Sequence, residues 1–288
     1  MGISQRNKSC ESASIFTLGP RTPFEERFMP APISVQLYSL RDQTKDGNHV
    51  AVLKKLADTG FYGVEAAGFY GLRPAEFRSI VNSLGMTVSA SHGGLPKPEE
   101  FQQAIDTTRD LGSAYYVVAW TPKDRWTTVE SINQIADELE AARAALAKAG
   151  VVLCYHNHEF EIERIAAAGN KLATELLIER APALNLEIDT YWAANWGKED
   201  AAKVVAQFKN RAIHLHLKDG ALDSTKRAML AAGKGKQKFA EIVAAADPAV
   251  LKWVVVELDS CETDMTQAVL ESYAYLVGNG FALGKKPV

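Results

Sequence analysis

The chain lacks most of what would tie it to a membrane, a disulfide framework or a nucleic acid. Its 288 residues contain three cysteines, Cys10, Cys154 and Cys261. They are odd in number, far apart and form no Cys-x-x-Cys pair. That excludes a zinc-thiolate site or a disulfide scaffold and fits a reducing compartment such as the cytoplasm. No apolar run approaches the roughly 18 residues that a membrane-spanning helix needs. Neither sign of charge dominates: the formal net charge is −3, which leaves no basic footprint for nucleic acid or an anionic membrane. Apolar residues make up 47% and charged residues 23%, as in ordinary soluble globular chains.

Residues 1–30 mix Ser, Arg, Glu and Pro and carry no apolar stretch long enough for a secretory signal. They read as a disordered tail, with Met29 a candidate natural start. From Ile33 onward short apolar runs alternate with longer amphipathic ones. Strands are expected at Ile33–Tyr38, Tyr62–Ala66, Met86–Ser91, Tyr115–Ala119, Val151–His156, Asn185–Asp189, Ala212–Leu217 and Trp253–Leu258. Helical patterns fall at about 46–59, 74–84, 97–111, 128–149, 170–180, 198–208, 236–246 and 264–278. The clearest is Thr128–Ala149, with Ile132, Ile135, Leu139, Ala142 and Leu146 at helical spacing and Gly150 as its stop. Strict strand–helix alternation implies a parallel sheet with crossover helices. Eight such units in one stretch of this length predict an α/β fold, a (β/α)8 TIM barrel, as a single domain over residues 31–288. A doubly wound open sheet competes, but it usually has a Gly-rich loop after its first strand. Here Ser39-Leu40-Arg41-Asp42-Gln43 follows instead.

In a TIM barrel the chemistry sits at the carboxyl ends of the strands. Those ends carry Gln36 and Tyr38, Glu65, Ser91 and His92, Trp120, His156 and His158, Glu187 and Asp189, His214 and His216 with Lys218, and Glu257 with Asp259. Side chains alternate faces along a strand. In Leu186-Glu187-Ile188-Asp189 the carboxylates therefore share one face, and in Ile213-His214-Leu215-His216-Leu217 the imidazoles do. Two histidines at i and i+2 in Tyr155-His156-Asn157-His158, at the end of a buried strand, are costly for a core and natural for a divalent metal or proton transfer. Nitrogen and oxygen donors of this mix suit Mn, Zn, Co or Mg.

Taken together, YHNHEFE on the fifth strand, LEIDTYW on the sixth, HLHLKDG followed by Gly233-Lys234-Gly235 on the seventh, and VVVELD on the eighth resemble the sugar phosphate isomerase/epimerase family. These are xylose isomerase-like TIM barrels, and the opening Gln36-Leu37-Tyr38-Ser39-Leu40-Arg41 is similar as well. The resemblance runs from Ile33 to Leu276 and implies a divalent metal held by strands five to eight. Carried over by position, Asp189, His216 and Glu257 match directly. Relatives often have Glu-Asn-His where this chain has His156-Asn157-His158, so His156, His158 or Glu161 takes the place of the usual strand-five glutamate; His156 completes the expected set. Relatives also often place an acidic residue where Lys234 stands.

The resemblance implies metal-assisted proton abstraction next to a carbonyl on a sugar or sugar phosphate, through an enediolate. Glu257 is the first candidate base and a strand-five residue, His156 or His158, the second. Lys218 is a candidate for substrate oxygens, with an ion pair to Asp219 or another carboxylate as the plainer reading. Gln36, Glu65, His92, Trp120 and Trp192 are candidate substrate contacts, the tryptophans because aromatic faces stack on sugar rings. For Asp189 a helix N-cap is the structural alternative, and either His214 or His216 fills a lower layer of the barrel. The Gly233–Lys238 loop is an anion cradle or a solvated lysine cluster. Loss of a β-substituent from the same intermediate would make the protein a dehydratase or lyase on inososes or keto-glycosides. A non-catalytic sugar-binding barrel is an alternative of another class. A three-zinc barrel acting on abasic DNA needs more ligands than six histidines supply and a basic groove. A small sugar is the expected partner, with no nucleic acid and no membrane. Relatives are often dimers or tetramers, so a homo-oligomer is expected, although no interface is legible.

Overall fold

A computed structural model of the chain describes residues 30–225 and 228–288. The expected tail, apart from Pro30, lies outside the described residues. Eight parallel strands close into a barrel: β1 Ile33–Gln36, β2 Gly63–Ala66, β3 Thr87–Gly93, β4 Tyr115–Val118, β5 Val152–His156, β6 Asn185–Asp189, β7 Ala212–Leu217 and β8 Trp253–Val256. Each strand pairs with its sequence neighbours, and β1 closes the ring against β8 through Ile33–Val254 and Val35–Val256. This is the (β/α)8 TIM barrel expected from the alternation.

The helices are α1 His49–Thr59, α2 Pro74–Ser83, α3 Phe101–Asp110, α4 Val129–Ala147, α5 Ala173–Arg180, α6 Thr190–Asn195, α7 Ala201–Phe208, α8 Phe239–Ala245 and α9 Met265–Gly278. Strand aliphatics such as Val35, Val64, Leu153, Ile188, Leu215 and Val256 join helix residues such as Leu53, Phe77, Ile135, Leu139, Val205 and Leu276 in one buried core. The other strand face is polar and also buried: Ser34, Gln36, Glu65, Ser89, His156, Glu187, Asp189, His214, His216 and Glu257. Helices absorb one parity of each strand, so the second parity has nowhere to point but the barrel interior.

Two element boundaries depart from the sequence expectation. The helix expected over 198–208 begins only at Ala201, and a separate short helix, Thr190–Asn195, precedes it, because Asp189 and Asp200 each cap a start: Asp189 Oδ1 accepts from the amides of Tyr191 and Trp192, and Asp200 Oδ1 from those of Ala202 and Lys203. Between them Lys198 adopts φ +57°, which ends any continuous helix. Between β5 and α5 the chain also makes a short antiparallel ladder of Arg164–Ile165 with Lys171–Leu172. Gly150, the expected stop after α4, has φ +78°, a conformation that glycine adopts without a Cβ penalty. Among the described residues no helix is long and apolar enough to cross a membrane.

Candidate functional site

The polar interior is layered. At the carboxyl end of the barrel, four donor atoms lie within 4.8 Å of one another, one each from His156, Asp189, His216 and Glu257, all buried. They come from β5, β6, β7 and the residue just after β8. Asp189 divides its oxygens. Oδ1 caps α6, while Oδ2 lies 4.0 Å from His156 Nε2 and 2.8 Å from Lys218 Nζ. The lysine contact meets ion-pair distance but not hydrogen-bond alignment, so Oδ2 is a buried oxygen with no directed partner. Glu257 Oε2 lies 2.7 Å from His216 Nδ1 and 2.8 Å from Lys218 Nζ.

A second layer lies beneath. Glu187 Oε1 is 3.0 Å from His156 Nδ1, 2.7 Å from His92 Nε2 and 3.0 Å from His216 Nε2. Its Oε2 takes His214 Nδ1 at 2.9 Å. Glu65 Oε2 takes His216 Nε2 at 2.7 Å and Gln36 Nε2 at 2.9 Å. The β2–β3 ladder shifts register between Val64 and Glu65, and the β6–β7 ladder between Leu186 and Glu187. Such irregularities re-aim side chains next to functional sites. Here each one sits at a carboxylate that props up the histidines.

The lower carboxylates set the proton positions above them. A carboxylate only accepts, so His156 carries its proton on Nδ1 toward Glu187 and turns Nε2 toward Asp189. His216 donates from Nε2 to Glu65 and, by the same rule, from Nδ1 to Glu257, so Nδ1 would give up that proton on ligating an ion. Carboxylate–histidine pairing of this kind orients imidazoles that ligate metals. Burial works to lower the His216 imidazole, but the charges of Glu187 and Glu65 overcome it and hold it well above its usual range. His92 is pushed up to about 10 because the same two carboxylates outweigh its burial. Burial would raise Glu187, yet His216 and His92 keep it well below the usual carboxylate range. Glu257 is likewise held low against its burial, chiefly by Lys218 and His216.

The donor set fits a divalent ion. Two imidazole nitrogens and two carboxylate oxygens converge, one oxygen has no directed partner, and both imidazoles are oriented from behind. Among the described residues two other groups of donors lie within the same 4.8 Å limit and centre on Glu187 in the lower layer: His92–His156–Glu187–His216, which shares both imidazoles with the quartet, and Glu65–Glu187–His214.

The strand-five segment separates its members. His156 faces the cluster, whereas His158 lies past the strand end with its ring stacked on Phe160 at 5.8 Å. Its Nδ1 is buried without a partner, and burial, with the charges of His156 and Lys218, pushes the imidazole down to about 2. Glu161 turns away, accepting from Tyr155 Oη at 2.7 Å and from the His158 amide at 2.8 Å. Lys218 is 1% exposed and sits among Asp189, Glu257 and Asp259. Asp219 does not pair with it; its carboxylate accepts the amides of Gly220, Gly233, Gly235 and Gln237. Those loop amides are therefore committed to Asp219 and leave no anion cradle of their own.

Of the expected substrate contacts, Gln36 and Glu65 are fully buried in the lower layer, and His92 is partly exposed beside a cavity of about 350 Å³ that Ser91, Phe69 and Tyr116 also line. Trp192 stacks on Trp196 at 4.6 Å, with His158 5.7 Å away and Lys218 Nζ 5.4 Å over its ring. Trp120 stands apart. It is 53% exposed and lines a groove with Leu95, Phe101 and Pro122 that includes none of the clustered residues. The residue that sequence reasoning undervalued is Glu187, named as a strand end but assigned no role. Its signal was the Glu-Ile-Asp spacing, which puts it one layer below Asp189.

A family model for the xylose isomerase-like TIM barrel matches residues 53–276. The chain belongs to that family. No curated protein matches the sequence. Among solved structures, a sugar phosphate isomerase/epimerase from Parabacteroides distasonis ATCC 8503 is 23% identical over 88% of this chain and 95% of its own, with a TM-score of 0.72. The 3-keto-D-glucoside 4-epimerase of E. coli is 16% identical over 85% of this chain and 98% of its own, with a TM-score of 0.64. The IOLI protein with a bound zinc atom is 13% identical over 87% of this chain and 98% of its own, with a TM-score of 0.65. At these identities the likeness is one of fold. The xylose isomerase-like barrel places its strand ends together at one mouth, where this chain gathers its histidines and carboxylates.

Proposed function

We propose that this chain is a divalent-metal-dependent isomerase or epimerase of a sugar or sugar phosphate. The observation that carries the reading is the convergence of His156, Asp189, His216 and Glu257, with both imidazoles turned into position by Glu187 and Glu65. The names of the epimerase and isomerase/epimerase structures that share the fold support it. A divalent ion held by these four residues supplies the Lewis acidity that polarises a carbonyl and stabilises negative charge developing beside it.

The protein's own groups do the rest. Glu257 Oε2 is engaged by His216 and Lys218, while no described hydrogen bond engages Oε1, so Oε1 is free to take the proton next to the carbonyl. Trp192 and Trp196 give the mouth an aromatic wall for the apolar face of a sugar ring. Returning the proton to the neighbouring carbon isomerises the sugar, and returning it to the opposite face epimerises it.

The test is incubation of manganese-supplemented protein in D2O with a panel of free and phosphorylated ketoses, read by NMR. Deuterium should enter the carbon beside the carbonyl together with a new isomer or epimer. Both signals should vanish with a chelator and in folded Glu257→Gln protein. Loss of water or of an alkoxide would instead move the protein to the lyases. Sugar binding with no exchange on any ketose would make it a binding barrel and refute the catalytic reading.

A further inference from the structure

Lys218 is a buried ammonium surrounded by three carboxylate oxygens, Asp189 Oδ2, Glu257 Oε2 and Asp259 Oδ2, each at 2.8 Å. The first two belong to residues of the donor quartet. The three contacts are not equal. Only the bond to Asp259 has hydrogen-bond alignment; those to Asp189 and Glu257 meet distance alone. Asp259 is also the outermost partner, with a side chain 29% exposed against 0% for Asp189 and 5% for Glu257.

A divalent ion takes carboxylate oxygens at about 2.0–2.2 Å. An ion drawing on Asp189 Oδ2 and Glu257 Oε2 therefore needs the space and the charge that the ammonium now uses. Two cations drawn to the same oxygens at such range repel each other and compete for them. The lysine has a place to go, because its aligned bond already points to Asp259 and its ammonium lies over the Trp192 ring.

We propose that Lys218 is a tethered cation that competes with the divalent ion for Asp189 and Glu257, and that loading the ion hands its ammonium to Asp259 at the mouth of the site. The inference rests on the metal reading above. It explains how two buried carboxylates remain compensated when no ion is bound, since an unpaired buried charge is strongly destabilising. It also makes Lys218 a positioned cation facing substrate oxygens only in the loaded protein.

The test is titration of metal-free protein with Mn²⁺, following free ion by electron paramagnetic resonance, for wild type and Lys218→Met, which keeps most of the stem volume. Lys218→Met should bind Mn²⁺ at least tenfold more tightly. In a crystal structure of Mn²⁺-loaded wild type, Nζ should be within hydrogen-bond distance of Asp259 and off both Asp189 and Glu257. Equal or weaker binding by folded Lys218→Met overturns the competition while leaving the metal reading intact. Nζ still seated on Asp189 and Glu257 in the loaded crystal overturns it too, and decides the matter if the variant does not fold. Failure of both proteins to bind Mn²⁺ removes the metal reading and this inference with it.

Discussion

Replacing Glu187 with glutamine tests whether the lower layer organises the upper one. The carboxylate is fully buried and meets four imidazoles, His92, His156 and His216 at Oε1 and His214 at Oε2. Glutamine keeps the shape but has one oxygen and one amide group. If the oxygen faces the three imidazoles, the amide faces His214 Nδ1, which must then accept. That moves the His214 proton to Nε2, a buried atom with no partner. An unsatisfied buried donor costs about 1–3 kcal/mol. The flipped amide is worse, since it points N–H groups at three imidazoles. His92 and His216 also lose one of the two carboxylate charges that raise them, the other being Glu65, and breaking a buried ion pair costs about 3–5 kcal/mol. A total loss of roughly 4–8 kcal/mol follows, a large share of the ~5–15 kcal/mol that stabilises a domain. Mn²⁺ affinity should fall about 10–100-fold, because a neutral amide oxygen orients His156 and His216 more weakly than the carboxylate does. Urea denaturation gives the first quantity and Mn²⁺ titration the second. Nitrogen-15 NMR should show His92 protonated at pH 8 in wild type and titrating at lower pH in the variant. A Glu187→Gln protein with wild-type stability and an unchanged His92 titration would refute the layered reading.

Two further outcomes are expected. Burial pushes Glu161 up to about 8 from an ordinary 4.5, against its bonds from Tyr155 and the His158 amide. Its folded value lies above its unfolded one, so the folded state favours the protonated form. The associated stability is complete below pH 4.5, falls by about 1.4 kcal/mol per pH unit as pH rises toward 8, and is gone above that. Glu161→Gln should flatten this slope and leave the variant more stable than wild type at pH 8 by a few kcal/mol; parallel pH–stability curves in urea would contradict it. Asp219→Asn offers one oxygen to four amides and turns N–H groups toward two of them. Hydrogen exchange at Gly233, Gly235 and Gln237 should speed up by tenfold or more while the barrel strands stay protected; unchanged exchange there would show that the loop holds without the carboxylate.

The barrel was legible because its two signals are physically redundant. Alternation of periods gave the order of elements, and the parity of each strand gave the face that helices cover. Val254, Val256 and Leu258 pack outward while Glu257 turns in, as their spacing requires. The late start of α7 at Ala201 and the separate α6 before it were not legible by the same logic. Glu199 and Asp200 look like any polar helix residues, and only the backbone reveals that Asp200 accepts from the amides of Ala202 and Lys203. A cap is a backbone event, and periodicity reports side-chain faces.

The site shows where strand parity stops. His156 and His158 share a face only while the ladder continues, and β5 ends at His156. Beyond that point the backbone turns, and His158 goes to Phe160 and Trp192 instead of the cluster. Parity does decide between Asp219 and more distant carboxylates as partners of Lys218, because adjacent residues on an extended chain point apart. Lys218 turns in to Asp189, Glu257 and Asp259, while Asp219 faces the Gly233–Gln237 amides. Which side chains of neighbouring strands share a layer is what a single sequence withholds. Glu187 and Asp189 have the same parity and the same charge, yet one lies beneath the histidines and the other beside them. The register shift at Leu186–Glu187 helps set that difference, and it depends on the neighbouring strand as much as on β6 itself. A role fixed by two strands at once can be read only after both are in place.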